Sequence, residues 1–442
     1  MRYMNTKGVL HTKRLRITGD QRYIKWESGE PFFILADTAW EMFHRLSKEE
    51  IYYYLETRAA QGFNTAQAVA LAEFEGLTVG NIYGRLPLKK LNGEYSPEMP
   101  DTDGENSYWN LVDEAVRKAA SLGMFICLLP TWGDKFNQKW GKGPEIFTPE
   151  NAKIYGKWIG ERYKDEWNII WMLGGDRPLE SDTHRAVIYE MAAGIKEADE
   201  NHLITFHPTG TKSSVDEVSG QGYIDYHTIQ SGHGVDTGYE SYKMLRRTRE
   251  AENKPFMNSE PRYEDHPACF NPEYGYYWDA ADIRMNLYWD MLEGACGHTY
   301  GNHCVWGFNR EKAAYFPYHW LDALHHEGAE TVRWAKQLRE SRDYFSLRAA
   351  PELVEDGQGL LGHIAAGIGK NYAYAYSPFG LPFLTHTGLL GSDVLKLSWF
   401  NPRTGETKLS MLIRGGYSET LVPPTQGKGQ DWVAVVEVAG GR

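Results

Sequence analysis

Along roughly the first 310 of 442 residues, short apolar runs alternate with amphipathic stretches of helical length, the pattern of repeated strand–helix units feeding a parallel sheet. Residues 31–36 (PFFILA) predict strand one. Ser47, followed three residues later by Glu50, forms a capping box that opens a helix, and Gly62 is placed to end it. Residues 63–67 follow at once as strand two. A second helix over residues 108–122 stops at Gly123 and feeds strand three at 124–129, and Thr148-Pro149-Glu150 opens a third helix with a cap and a proline in its first turn. Residues 168–173, 202–206, 223–229, 255–259 and 297–306 complete eight strands.

Eight strands with intervening helices over this length predict an α/β fold, a closed (β/α)8 TIM barrel. An open doubly wound sheet would carry a glycine-rich phosphate loop after its first strand, and no G-x-G-x-x-G follows Ala36. The segment 76–106, rich in Pro, Gly and Asp, reads as an elaborated loop above the barrel mouth. Beyond Leu347 the texture changes to short alternating segments at 371–376, 394–400 and 432–438, with Asn401-Pro402-Arg403-Thr404-Gly405 as a turn. Two domains are expected: a barrel over 1–347 with a short N-terminal segment, and an antiparallel β-sandwich over 348–442.

The composition suits a folded protein with a sizeable core, 42% hydrophobic and 24% charged. A net charge of −12 argues against nucleic acid or an anionic membrane surface as a partner and favours a neutral or weakly charged substrate. Cys127, Cys269, Cys296 and Cys304 show no C-x-x-C spacing and read as free thiols. Residues 1–20 carry Lys7, Lys13, Arg14 and Arg16 without a sustained apolar run, so no signal peptide is legible. A cytoplasmic location is the expectation, or a secreted one if a leader has been removed. Oligomeric state is not legible.

In a TIM barrel the active site lies at the carboxyl ends of the strands, so the polar residues that terminate the apolar runs are the candidates. Strand one ends in Asp37-Thr38-Ala39-Trp40, strand two carries Gln67, strand three leads to Trp132, and strand four ends in Gly174-Gly175-Asp176. Strand six runs into Gln230 and His233, strand seven into Glu260, and strand eight carries Tyr300 before Trp306. Acids after strands four and seven face each other across a barrel mouth, which is what glycosidic cleavage requires. One carboxyl protonates the leaving oxygen; the other meets positive charge at the anomeric carbon. Asp176 is the expected acid/base and Glu260 the nucleophile. The alternatives are a helix N-cap for Asp176 and an ion pair with Arg262 for Glu260. Asp37, Gln67 and Gln230 could hydrogen-bond sugar hydroxyls, His233 and Tyr300 stand beside them, and Trp40, Trp132 and Trp306 offer flat apolar faces. His298, His303 and Cys304 match no zinc-ligand spacing, so neither a metal nor another cofactor is expected. No G-x-S-x-G elbow supports a serine hydrolase.

These motifs resemble family 140 of the glycoside hydrolases, whose founding activity is β-apiosidase on the pectin rhamnogalacturonan II. The resemblance is carried by Asp37-Thr38-Ala39-Trp40, Phe63-Asn64 with Gln67, Trp171-Met172-Leu173-Gly174-Gly175-Asp176, Asn258-Ser259-Glu260-Pro261 with Tyr263-Glu264, and Gly297-His298-Thr299-Tyr300-Gly301. It implies a catalytic aspartate after strand four and glutamate after strand seven, at Asp176 and Glu260, and a C-terminal β-sandwich of the type labelled collagen-binding. It also implies a retaining, exo-acting release of apiose. Strand four closes with Gly-Asp here, where the wider clan of barrel hydrolases has Asn-Glu. A glycosidase for another sugar and a non-catalytic glycan-binding protein are the competing readings, since fold and catalytic pair do not fix the sugar.

Overall fold

The computed structural model describes residues 3–4, 10–11, 14–234 and 240–439. Eight strands form the barrel sheet: β1 (Ile34–Thr38), β2 (Thr65–Val69), β3 (Phe125–Leu129), β4 (Ile169–Gly174), β5 (Ile204–His207), β6 (His227–Gln230), β7 (Phe256–Asn258) and β8 (Gly297–Tyr300). Their order is β5-β4-β3-β2-β1-β8-β7-β6, every pairing parallel, with the two-residue strand Lys212–Ser213 added antiparallel to β6. β5 and β6, the ends of this order, are joined through threonines. Thr205 Oγ1 donates to Tyr226 O at 2.6 Å, Thr228 Oγ1 to Phe206 O at 2.5 Å, and Asp225 N to Ile204 O at 2.8 Å. The chain is a (β/α)8 barrel with a C-terminal antiparallel sheet domain.

Each strand is followed by helix. The helices are α1 (Lys48–Ala60), α2 (Tyr108–Ser121), α3 (Pro149–Tyr163), α4 (Asp182–Ala198), the single turn α5 (Val215–Val218), α6 (Ser241–Ala251), α7 (Ala280–Leu292) and α8 (Arg333–Glu340). Local sequence sets their starts. Ser47 and Glu50 close the capping box of α1, and Thr148 with Asn151 closes one at α3, where Pro149 occupies a position whose N–H needs no helical partner. Strand ends differ from the sequence reading by a few residues. β1 runs on through Asp37 and Thr38 because the ladder continues to Tyr300 and Gln67, and β8 stops at Tyr300, just before Gly301 passes so close to the Tyr263 ring that a Cβ would not fit. The long loop after β2 folds into an antiparallel hairpin, Leu88–Leu91 with Glu94–Pro100.

The C-terminal domain holds β9 (Arg348–Ala349), β10 (Ala365–Ile368), β11 (Tyr372–Ser377), β12 (Phe383–His386), β13 (Val394–Phe400), β14 (Thr407–Arg414), β15 (Ser418–Leu421) and β16 (Trp432–Val438). Six of them form one sheet in the order β9-β10-β11-β16-β13-β14, and β12 pairs with β15 as a separate ribbon. The alternation in β11 is Tyr-Ala rather than apolar-polar because both faces are covered. Tyr372, Tyr374 and Tyr376 pack into the barrel's core, whereas Ala373 and Ala375 face the domain's own smaller core. Contacts with α7 and α8 tie the sheet to the barrel flank. Tyr288 stacks on Tyr376 at 4.9 Å, Tyr374 Oη donates to Leu338 O at 3.0 Å, and Arg284 pairs with Asp431 through two nitrogens at 3.0 and 3.2 Å. All four cysteines are free thiols. Among the described residues no helix is long and apolar enough to cross a membrane.

Candidate active site

The chain leaves β4 through two glycines with left-handed φ, 89° at Gly174 and 111° at Gly175. Gly175 is required by close approach as well, since a Cβ there would stand 2.7 Å from Gly133 N. Asp176 follows at φ 58°, a conformation that costs a non-glycine residue about 1–3 kcal/mol and persists where the surroundings impose it. Those surroundings are specific. Arg177 donates to Oδ2 at 2.9 Å, Trp140 Nε1 reaches the same oxygen at 3.4 Å, and Gly210 N donates to Oδ1 at 3.3 Å. Arg177 turns its other nitrogen to Glu73 at 2.7 Å. The next helix, α4, is capped by Ser181, so Asp176 is not an N-cap.

Glu260 follows β7 and is 6% exposed. His233 Nε2 lies 3.0 Å from one carboxylate oxygen and His207 Nε2 3.1 Å from the other. Trp40 Nε1 donates to Tyr263 Oη at 3.1 Å, setting that phenol beside the carboxylate. Arg262 stacks instead on Trp278, 4.6 Å from the ring centre.

The two carboxyls are driven in opposite directions. Burial alone would raise Glu260, but the hydrogen bond from His233 and the charge of the two close imidazoles, His207 and His233, outweigh it and hold the group at about 2. Asp176 is raised above the ordinary aspartate range by burial first and by the Glu260 anion second, against the lowering pull of Arg177 and His207. Glu73 is pushed up to about 7, again chiefly by burial. One carboxylate that stays ionised and one that keeps its proton longer is the electrostatic division needed by a nucleophile and a general acid.

Both acids line one cavity of about 490 Å³. Trp40 and Trp132, 5.1 Å apart between ring centres, wall it beside His207. A row of imidazoles, His233, His266 and His303, forms another wall with successive ring centres 4.4 and 4.3 Å apart. Burial, then the neighbouring histidines, lowers His266 well below the usual histidine range, and His303 is lowered to about 3 in the same way. His266 Nδ1 donates to Pro267 O at 2.8 Å. Among the described residues none beyond Tyr315 lines the cavity, and the C-terminal sheet contributes no lining residue.

Of the residues singled out at strand ends, Trp40, Trp132, Gln230, His233 and Trp306 line the cavity together with Asp176 and Glu260. Asp37, Gln67 and Tyr300 do not. They lie within strands, where alternation turns side chains away from the mouth. Asp37 points outward to α1 and accepts from Arg58 Nε and Tyr54 Oη, both at 2.6 Å. Tyr300 likewise points outward and donates to Glu264 at 2.5 Å. Gln67 points into the barrel interior below the cavity, donating to Ser259 O at 3.2 Å and to Thr299 Oγ1. His207 ends β5 by the same rule and belongs with the strand-end candidates, but the apolar run of strand five, 202–206, stops one residue short of it. Glu73 and Trp140 come from long loops and carry no positional signal. Tyr263, His266 and Phe270 follow Glu260 on the loop after β7. Among the described residues no group of three or more His, Cys, Asp or Glu side chains is arranged to hold a metal ion. His298 Nδ1 is held by Asp290 at 2.8 Å, and His303 stacks on Phe316.

The family described as "Apiosidase-like, catalytic domain" matches residues 18–346, and that described as "Putative collagen-binding domain of a collagenase" matches 352–437. Among solved structures, the chain is similar to a glycoside hydrolase family 5 protein from Bacteroides vulgatus. That likeness has a TM-score of 0.88 and 26% identity, covering 97% of this chain and 94% of the other. A second structure, titled "Glycoside hydrolase", aligns with a TM-score of 0.87 and 27% identity over 97% of this chain and 98% of its own. No curated protein matches the sequence.

Proposed function

The chain belongs to the apiosidase-like family and is a glycosidase, and from that premise we propose that it releases apiose from the ends of apiosides or rhamnogalacturonan II-derived oligosaccharides with retention of configuration. The observation that carries the catalytic part is the divided pair: Glu260 held at about 2 by two histidines, facing a raised Asp176 across the same cavity. In the first step the Glu260 carboxylate attacks the anomeric carbon. The glycosidic C–O bond breaks, its electron pair goes to the departing oxygen, and that oxygen takes the Asp176 proton. In the second step Asp176, now a carboxylate, takes a proton from water, the water oxygen attacks the anomeric carbon, and the bond to Glu260 breaks.

Buried residues at the base support an exo mode. Trp40 and Trp132 are each 4% exposed, and such buried aromatic walls suit the end of a glycan chain entering the cavity. The apiose assignment is supported by the family match over the barrel. Proton NMR of the sugar first released from a β-apioside tests the mechanism. Initial β-apiose supports the double displacement; initial α-apiose removes Glu260 from the nucleophile role and makes it the base for water.

A further inference from the structure

Resting on the glycosidase reading above, we propose that Trp140 is the platform of a leaving-group subsite that takes a sugar ring, so that the natural leaving group is a saccharide rather than a small alcohol. The glycosidic oxygen must come within about 3 Å of the acid that protonates it, which fixes the leaving group's first atom beside Asp176. What stands next to Asp176 on the outer side is the Trp140 indole. Its Nε1 is 3.4 Å from Oδ2, and the Arg177 guanidinium, itself fully buried, lies 4.6 Å from the indole ring centre. One side of the ring is thus seated on a fixed cation, yet the residue is 62% exposed, the most exposed of the cavity's aromatic side chains.

A large indole left open to water beside a proton donor is a flat apolar face awaiting a partner. A pyranose or furanose ring offers one, a face of C–H groups with hydroxyls around its edge. Phe270, 56% exposed, extends the rim on the histidine side, with its ring 4.8 Å from His266. The backbone supports both aromatics in unusual conformations. Lys139, directly before Trp140, has φ 41°, and Cys269 and Phe270 are consecutive non-glycine residues at 54° and 60°. Such conformations cost energy that packing elsewhere must offset, and they bring these two aromatics to the mouth. Stacking and acid catalysis are coupled through one side chain, since the indole that would carry the leaving sugar also contacts the acid.

The test compares wild type, Trp140→Ala and Trp140→Phe on two substrates with the same released sugar, one with a sugar and one with a methyl leaving group. The expected result for Trp140→Ala is a loss of kcat/KM that is about tenfold larger on the sugar-bearing substrate than on the methyl glycoside, the order of one good aromatic stack. Trp140→Phe recovers most of that difference while still lacking the N–H to Asp176. Equal losses on both substrates overturn the platform and leave Trp140 as a positioning residue for Asp176. No loss on either overturns it as well. Both substrates are apiosides, so a wild type that cleaves neither overturns the apiose assignment rather than the platform, which separates the two failures.

Discussion

Removing one of the two imidazoles that hold Glu260 raises the pH at which the enzyme loses activity in acid. His233 and His207 each approach a different carboxylate oxygen, at 3.0 and 3.1 Å, inside a site where Glu260 is 6% exposed. A hydrogen bond to a charged group contributes about 1.5–3 kcal/mol, and one pKa unit corresponds to about 1.4 kcal/mol. His233→Ala, which removes that hydrogen bond, therefore moves Glu260 up from about 2 by roughly 1–2 units, and His207→Ala, which removes a close imidazole contact, moves it in the same direction by less. In the double variant burial acts unopposed, and the group passes above the ordinary glutamate value of about 4.3. The sign for stability is the same. A carboxyl depressed in the folded state stabilises the protein fully above its unfolded pKa, and loses that contribution as pH falls through the folded value. The variants thus unfold in acid at higher pH than wild type. The assay is kcat/KM against pH on any substrate the wild type cleaves, with circular dichroism at each pH to separate titration from unfolding. His233→Gln, which keeps a neutral donor, shifts the acid limb less than His233→Ala. Acid limbs of both single variants superimposed on wild type would refute the claim that the histidines set the ionisation of Glu260.

Asp431→Asn leaves Arg284, 2% exposed at its side chain, with Glu327 as its remaining carboxylate, at a cost of about 1–3 kcal/mol. Thermal unfolding falls by several degrees while activity at 25 °C persists, because the pair lies on the barrel flank; calorimetry and sugar release check both halves. Gly301→Ala puts a Cβ into the Tyr263 ring and displaces the phenol beside Glu260. Activity is expected to drop by at least an order of magnitude while far-UV circular dichroism stays native, and steady-state kinetics reads the loss.

The barrel was legible because its cues are local. Capping residues open α1 and α3, glycines close helices, and polar residues end apolar runs. The same rule led to Asp176 and Glu260, which the fold brings to one cavity. It failed at Asp37 and Tyr300, because these residues are still paired within strands and face the helices, and sequence does not say where the ladder stops. Arg58 on α1 and Glu264 after β7 capture these two side chains through contacts distant in sequence. Trp140 and Glu73 were invisible for the opposite reason. Trp140 sits far beyond the end of β3, Glu73 lies on the long loop that leaves β2, and only the folding of these loops onto Arg177 brings them to Asp176. In the C-terminal domain, apolar alternation marked strands but not that β11 separates tyrosines from alanines across two cores.

The most direct test of the catalytic pair is sugar release from apiose-bearing glycosides and rhamnogalacturonan II oligosaccharides by wild type, Asp176→Asn and Glu260→Gln prepared side by side. Both variants are expected to fold as wild type does and to lose at least about a thousandfold in kcat/KM, as removal of a group essential to bond cleavage does. Apiose released by wild type alone is the predicted result. Variants that match an active wild type would contradict the assignment of both carboxyls.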